Sequence, residues 1–319
     1  MKNRVKIIEV ITAGLVLITA LSAASNPGGR AFPSPEAAAR ALVAAAKAND
    51  ANGLIDILGP SSRDIISTSD PVADRKIRRD FTARATQKMS VVATPGRPKE
   101  RTLLAGNDNW PLPIPIVERN GKWYFDMASG RQEILNRRIG SNELDAIEVC
   151  RGYVEAQNDY GEKNQTAGGL PVYAQKVISS PGQRDGLYWA GEPGVEESPI
   201  GKIIARAFAE GYTKRGDPFH GYYFKVLTRQ GSHAAGGAAE YLDNGVMTKG
   251  YALVAWPANY GSTGIMTFFV DKTGIVYQKD LGRNTGRIAA AYTAYDPDAT
   301  WMPVREPEPT SSPALTGRK

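Results

Sequence analysis

The sequence predicts an α+β protein of two domains. N-terminal helices with a small antiparallel sheet come first, then a helix packed on an antiparallel meander. Three observations predict this. Between residues 35 and 89, capping signals precede apolar residues at helical spacing. Between residues 89 and 125, short β-rich runs are interrupted by prolines and an Asn-Gly pair. Between Pro218 and Leu281, four runs rich in Tyr, Phe, Val, Ile and Thr are separated by Gly, Asn, Asp and Pro.

The chain opens on an address. Lys2, Arg4 and Lys6 form a positive stretch, Val10 to Leu21 is apolar and uncharged, and Ser22-Ala23-Ala24 supplies small residues. That is the pattern of a cleavable secretory signal over residues 1–24. The apolar run is shorter than the ~20 residues of a spanning helix. Glu9 lies close to the run, so an uncleaved inner-membrane anchor is the alternative. No Cys follows, which excludes a lipoprotein. A periplasmic or secreted location is expected, with no stable membrane span after cleavage. The formal net charge is +6, and residues 1–24 carry three basic residues and one acid, which leaves about +4. So mild a charge argues against a dedicated nucleic-acid binder.

Residues 25–31 read as a linker and residues 32–139 as the first domain. Ser34-Pro35-Glu36 opens a helix, with Ser as cap, Pro in the first turn and Glu favourable to the dipole. Asn52-Gly53 is expected to break it, and Leu54 to Leu58 to form a further helical turn. Asp70-Pro71 opens a third helix through about Met89, with Val72, Ile77, Phe81, Ala85 and Met89 near one stripe. Its opposite face carries Arg75, Lys76, Arg78, Arg79, Arg84 and Lys88, interspersed with Asp74 and Asp80, as a solvated face does. Met89 to Thr94 and Arg101 to Ala105 are strand candidates. The prolines of Trp110 to Val117 confine that stretch to an edge strand or polyproline segment. Asn120-Gly121 predicts a type I′ hairpin.

Gly140 marks the expected boundary, and residues 140–304 the second domain. Ser141 or Asn142 caps a helix through about Asn158, and Ser198-Pro199 opens another that Gly211 stops. Cys150, alone in the chain, permits no internal disulfide and reads as a small buried apolar residue. In the meander, period-two alternation groups Tyr222, Phe224 and Val226; Ala252, Val254 and Trp256; Met266, Phe268 and Val270; and Ile275, Tyr277 and Leu281. Several runs are apolar on both faces, so a helix should cover one side and further chain part of the other. Asp271 to Gly274 predicts a short hairpin loop with Gly274 at positive φ. Residues 305–319, rich in Pro, Ser and Thr, read as a disordered tail.

Chemistry is sparse. The two histidines, His220 and His233, cannot build a multi-histidine metal site, and no nucleophile-elbow, zinc-protease or phosphate-loop motif occurs. His220 follows Asp217, so the two are candidates for an acid–base pair, with Arg184 as a third candidate. A strand-end histidine bonded to backbone is the commoner arrangement. Asp271 supplies too few oxygens for calcium. Trp189, Trp256, Tyr260 and Trp301 are candidates for a glycan- or peptide-binding platform, although such aromatics more often pack in a core. No cofactor is implied.

Several segments carry a resemblance: Phe32 to Ala37 (FPSPEA), Arg138 to Leu144 (RIGSNEL), Ser180 to Trp189 (SPGQRDGLYW) and Gln230-Gly231. Others are Ala255 to Gly261 (AWPANYG), Thr267 to Asp271 (TFFVD) and Lys279 to Gly282 (KDLG). Over about residues 31–304 the chain resembles a bacterial exported family, domain of unknown function 2950. The resemblance implies export and brings no catalytic residues. In the C-terminal half, Gly221-Tyr-Tyr-Phe, Ala255-Trp-Pro and Thr267 to Val276 are similar to the globular heads of pilin-like proteins. The similarity stops at the N-terminus, where Arg4 stands five residues before Glu9 in place of the glycine a prepilin needs. Two functions follow. One is a non-enzymatic exported module that binds an envelope protein or polymer. The other is a hydrolase or transferase with a site around Asp217, His220 and Arg184.

Overall fold

The computed structural model describes residues 28–180, 182–189, 198–199 and 216–305. The signal segment, most of the helix expected after Ser198-Pro199 and the tail beyond Arg305 lie outside the described residues.

Helix α1 spans Pro35–Lys47, and the Ser34 side chain accepts from the Ala37 N–H at 3.1 Å. The break that follows comes earlier than Asn52-Gly53. Asn49 takes a left-handed φ of 52°, and Asp50 caps a second helix, α2 (Ala51–Leu58), accepting from the Gly53 N–H at 2.9 Å. Asn tolerates that φ and Asp is a strong cap, so this pair outweighs the glycine inside the helix. A short helix, α3 (Arg63–Ile66), and then α4 (Pro71–Gln87) follow, with Asp70 as the cap of α4. Ile77 on the predicted stripe is 50% exposed.

The first sheet has strands β1 (Met89–Thr94), β2 (Arg97–Ala105), β3 (Trp110–Pro111), β4 (Ile116–Arg119) and β5 (Lys122–Phe125). Its order is β1-β2-β4-β5, with β3 beside β2. Prolines limit β3 to two residues. At the β4–β5 hairpin Asn120 and Gly121 take φ of 51° and 73°, as a type I′ turn requires. Helices α1 and α2 bury Ala38, Leu42, Leu54 and Ile57 against Leu103, Ile116 and Phe125 of this sheet.

Helix α5 runs without interruption from Met127 to Lys163. The start expected at Ser141 or Asn142 is therefore corrected: Gly140 lies inside the helix. A glycine costs a helix only about 1 kcal/mol relative to alanine, and burial of Ile139 on one side and Ala146 and Ile147 on the other holds the axis together. The helix feeds both cores, Met127 the first and Ala146 to Tyr160 the second.

The second sheet takes β6 (Tyr222–Leu227), β7 (Ala252–Pro257), β8 (Met266–Asp271), β9 (Tyr277–Asp280) and β10 (Met302–Pro303) in the order β10-β9-β8-β7-β6, each pair antiparallel. The four predicted runs are its first four strands. Helix α5 packs on β7 and β8, and a short helix, α6 (Thr285–Ala291), packs on β7. Tyr222 contacts Phe268 on one face, whereas Phe269 meets Tyr292, Tyr295 and Trp301 on the other. The α+β class holds, and the meander is covered on both sides. Alternation misplaces the fourth run: Ile275 is 46% exposed and Val276 is buried, because β9 starts only at Tyr277. Cys150 is fully buried, and burial pushes its thiol up to about 12.

The β8–β9 loop forms as its residues dictate. Asp271 Oδ1 accepts from the Thr273 N–H at 3.0 Å, the Gly274 N–H bonds the Asp271 carbonyl at 3.0 Å, and Gly274 takes φ 77°. A Cβ there meets nothing within 4 Å, so the barrier to substitution is conformational. Gly274→Val is expected to lower stability by about 1–3 kcal/mol. A thermal melt equal to wild type would show that the turn tolerates a β-branched residue.

Candidate functional site

The site begins at a turn. Phe219 and Tyr222 exchange backbone hydrogen bonds of 2.8 and 3.0 Å around His220-Gly221, whose φ values are 47° and 74°. Both central residues at positive φ make a type I′ geometry. Glycine adopts it freely, while a histidine costs about 1–2 kcal/mol. The surroundings hold the turn in place. Asp70 Oδ2 accepts from the Gly221 N–H at 3.0 Å. A Cβ on Gly221 would lie 2.7 Å from Asn142 Nδ2 and 2.8 Å from Thr263 Cβ, so only glycine fits. Asn142 itself donates to the Thr263 carbonyl at 2.9 Å, and Glu143 Oε1 accepts from the N–H groups of Ile265 and Met266 at 2.9 and 3.0 Å. The turn is thus bolted between α4, α5 and the β7–β8 connection.

The His220 ring, stacked on Phe219 at 4.2 Å, places Nδ1 2.5 Å from Asp145 Oδ2. His220 is buried, and the Asp145 side chain is 28% exposed. Both line a cavity of about 340 Å³ between the N-terminal helices and α5. Its walls are mostly apolar: Leu42, Leu54 and Leu58 from α1 and α2, Ile77 and Phe81 from α4, and Leu112, Ile114 and Ile134 from the proline-rich segment and α5. The exposed Ile77 is therefore part of a wall. Arg138, Ser141, Asn142 and Asp145 also line it, at helix positions i, i+3, i+4 and i+7, which share one face. Arg138 Nη2 donates to the Ile65 carbonyl at 2.6 Å, and Nη1 is buried with no hydrogen-bond partner among the described residues. Burial lowers the affinity of this guanidinium for its proton, opposed by the charges of Asp74 and Asp64. Asp74 is buried too. Its carboxyl is raised by desolvation, while Thr68 donates to it from N at 2.7 Å and from Oγ1 at 2.9 Å.

The family described as protein of unknown function (DUF2950) matches residues 29–304. The chain belongs to the DUF2950 family. No curated protein and no solved structure matches it. The matched span contains both cores and every residue of the cavity.

Within this DUF2950 chain the sequence-predicted candidates scatter. His220 lines the cavity, but its carboxylate partner is Asp145, 75 residues away on α5, whereas Asp217 is exposed. Arg184 does not line the cavity. Its guanidinium lies 5.4 Å from the Trp189 ring centroid, and its carbonyl accepts from Tyr160 at 2.9 Å. Trp256 is half-buried against Tyr223, and Tyr260 donates to Asp280 at 3.1 Å. Trp301 is 6% exposed and stacks on Phe269 at 4.3 Å, so it serves the core. His233 pairs with Asp296 at 3.0 Å, which raises the imidazole above its ordinary range, but the pair lies on the surface. Among the described residues no three His, Cys, Asp or Glu side chains are close enough to hold a metal ion.

Asp145 and Arg138 escape sequence reasoning. The available signal is the RIGSNEL segment that marks the family resemblance, since Arg138, Ser141 and Asn142 fall in it.

Proposed function

We propose that this chain is an exported, non-enzymatic module that binds an envelope molecule, with the cavity receiving its apolar group. The observation that carries this is the cavity itself. Its walls are predominantly apolar, Arg138, Ser141, Asn142 and Asp145 of α5 line it together with His220, and about 340 Å³ falls in the range of roughly 300–1,000 Å³ usual for ligand sites. Export rests on the basic and apolar pattern of residues 1–24. Among the described residues no helix is long and apolar enough to cross a membrane. The mature N-terminus is expected at Ser25, to be read by intact-mass analysis of the envelope fraction. A membrane species that retains Met1 would overturn the cleavable signal.

A second reading, a hydrolase or transferase, draws support from the His220–Asp145 pair with Ser141 on the same wall. A carboxylate that orients a histidine near a hydroxyl supplies the parts for acyl transfer. A fluorophosphonate probe decides between them. The binding module leaves Ser141 unlabelled and binds a fluorescent apolar probe, and an Ala73→Phe substitution in the cavity wall abolishes that binding. Covalent labelling of Ser141 that His220→Ala removes would instead favour the enzyme.

A further inference from the structure

We propose that the cavity takes a single-chain amphipathic anion, its hydrocarbon along the apolar wall and its oxyanion at Arg138. This deepens the binding reading and rests on it. Four basic side chains line the cavity, Lys76, Arg78, Arg137 and Arg138, against the single carboxylate of Asp145. Three of the four are engaged. Lys76 pairs with Asp80 at 2.9 Å, and Arg137 with Glu133 at 2.7 Å. Arg78 donates to Asn49 at 2.7 Å and to the Ile66 carbonyl at 2.9 Å. Arg138 is different. Among the described residues its one hydrogen-bond partner is a neutral carbonyl, and Nη1 is buried and unsatisfied. Of the two acids whose charges act on it, Asp74 accepts from Thr68 and Asp64 pairs with Arg131.

Arg138 brings its charge to the cavity wall with only a neutral carbonyl as hydrogen-bond partner among the described residues, and an oxyanion is the acceptor that matches a guanidinium in charge and geometry together. A neutral amphiphile offers the guanidinium no charged acceptor, and a cationic one would be repelled by it. The volume sets the other half of the ligand. At about 340 Å³ the cavity lies at the lower end for ligand sites, which suits one hydrocarbon chain rather than a two-chain lipid.

The test is titration calorimetry of the mature protein with decanoate, decyl phosphate and decanol, three probes with the same chain. Decanoate or decyl phosphate is expected to bind about tenfold or more tightly than decanol, with the tighter of the two naming the oxyanion. In Arg138→Gln the preference is expected to vanish, while Arg138→Lys, which keeps the charge, retains part of it. The wild-type comparison stands even if Arg138→Gln fails to fold. Decanol binding as tightly as both anions would overturn the anion assignment and leave the binding module intact. No binding of any of the three to folded protein would overturn both. A folded Arg138→Gln that still prefers the anion would show that Arg138 is not its partner.

Discussion

Phe269→Ala is expected to lower the stability of the mature chain by about 3–5 kcal/mol, measured by urea unfolding. Phe269 sits in the middle of β8 and is fully buried. Its ring stacks on Trp301 at 4.3 Å and meets Tyr292 and Tyr295 at 5.1 and 5.6 Å. Truncation removes the apolar area, leaves a void and deletes three ring contacts at once, and such contacts contribute about 0.5–1.5 kcal/mol each beyond area. A domain is usually stable by about 5–15 kcal/mol, so the variant should stand near the unfolding threshold. Phe269→Leu, which keeps most of the volume, should cost about 1–2 kcal/mol. Met302, 58% exposed, provides the contrast: Met302→Ala should stay within about 0.5 kcal/mol of wild type. Should Phe269→Ala lose no more than Met302→Ala, the second face of the meander is not packed as described.

What was legible in the sequence had a local cause. Asn120-Gly121, Asp271 to Gly274 and Ser34-Pro35 each specify a conformation through their own side chains, and each turn or cap formed where those residues stand. The meander runs were legible because alternating aromatic and branched residues fit a pleated surface wherever it lies. The errors arose where two local signals competed. Asn49-Asp50 took the helix break from Asn52-Gly53, and the burial of Ile139 before Gly140 and of Ala146 and Ile147 after it overrode the glycine in α5. At Ile275 the alternation begins two residues ahead of the strand, which starts at Tyr277. The site was less legible because its residues meet only in the fold. His220 has an acidic neighbour at Asp217 in sequence, yet the turn directs Nδ1 to Asp145 on α5. A wall drawn from α1, α2, α4, α5 and the proline-rich segment leaves no pattern at any one spacing. Ile77 shows this well, since on the helical stripe alone it reads as ordinary core.

The junction that builds the cavity depends on Asp70, and Asp70→Ala is expected to cost about 1.5–5 kcal/mol. The residue is 2% exposed. Its Oδ1 accepts from the Val72 and Ala73 N–H groups at 3.1 and 2.9 Å, which caps α4. Its Oδ2 accepts from the Gly221 N–H at 3.0 Å, which ties the same helix to the turn carrying His220. Alanine removes the cap, worth about 0.5–2 kcal/mol, and leaves a buried N–H without its acceptor, worth about 1–3 kcal/mol. Asp70→Asn separates the two effects. Its one amide oxygen can keep the cap, but its NH₂ cannot accept from Gly221, so only the junction should fail. The expected result is an intermediate loss of about 1–3 kcal/mol, together with weaker binding in the cavity, because α4 supplies Ala73, Ile77 and Phe81 to its lining and the turn supplies His220. Unfolding curves and the decanoate titration on the same preparations measure both. An Asp70→Asn protein with wild-type stability and wild-type binding would show that the bond from Gly221 to Asp70 does not hold the halves of the site together.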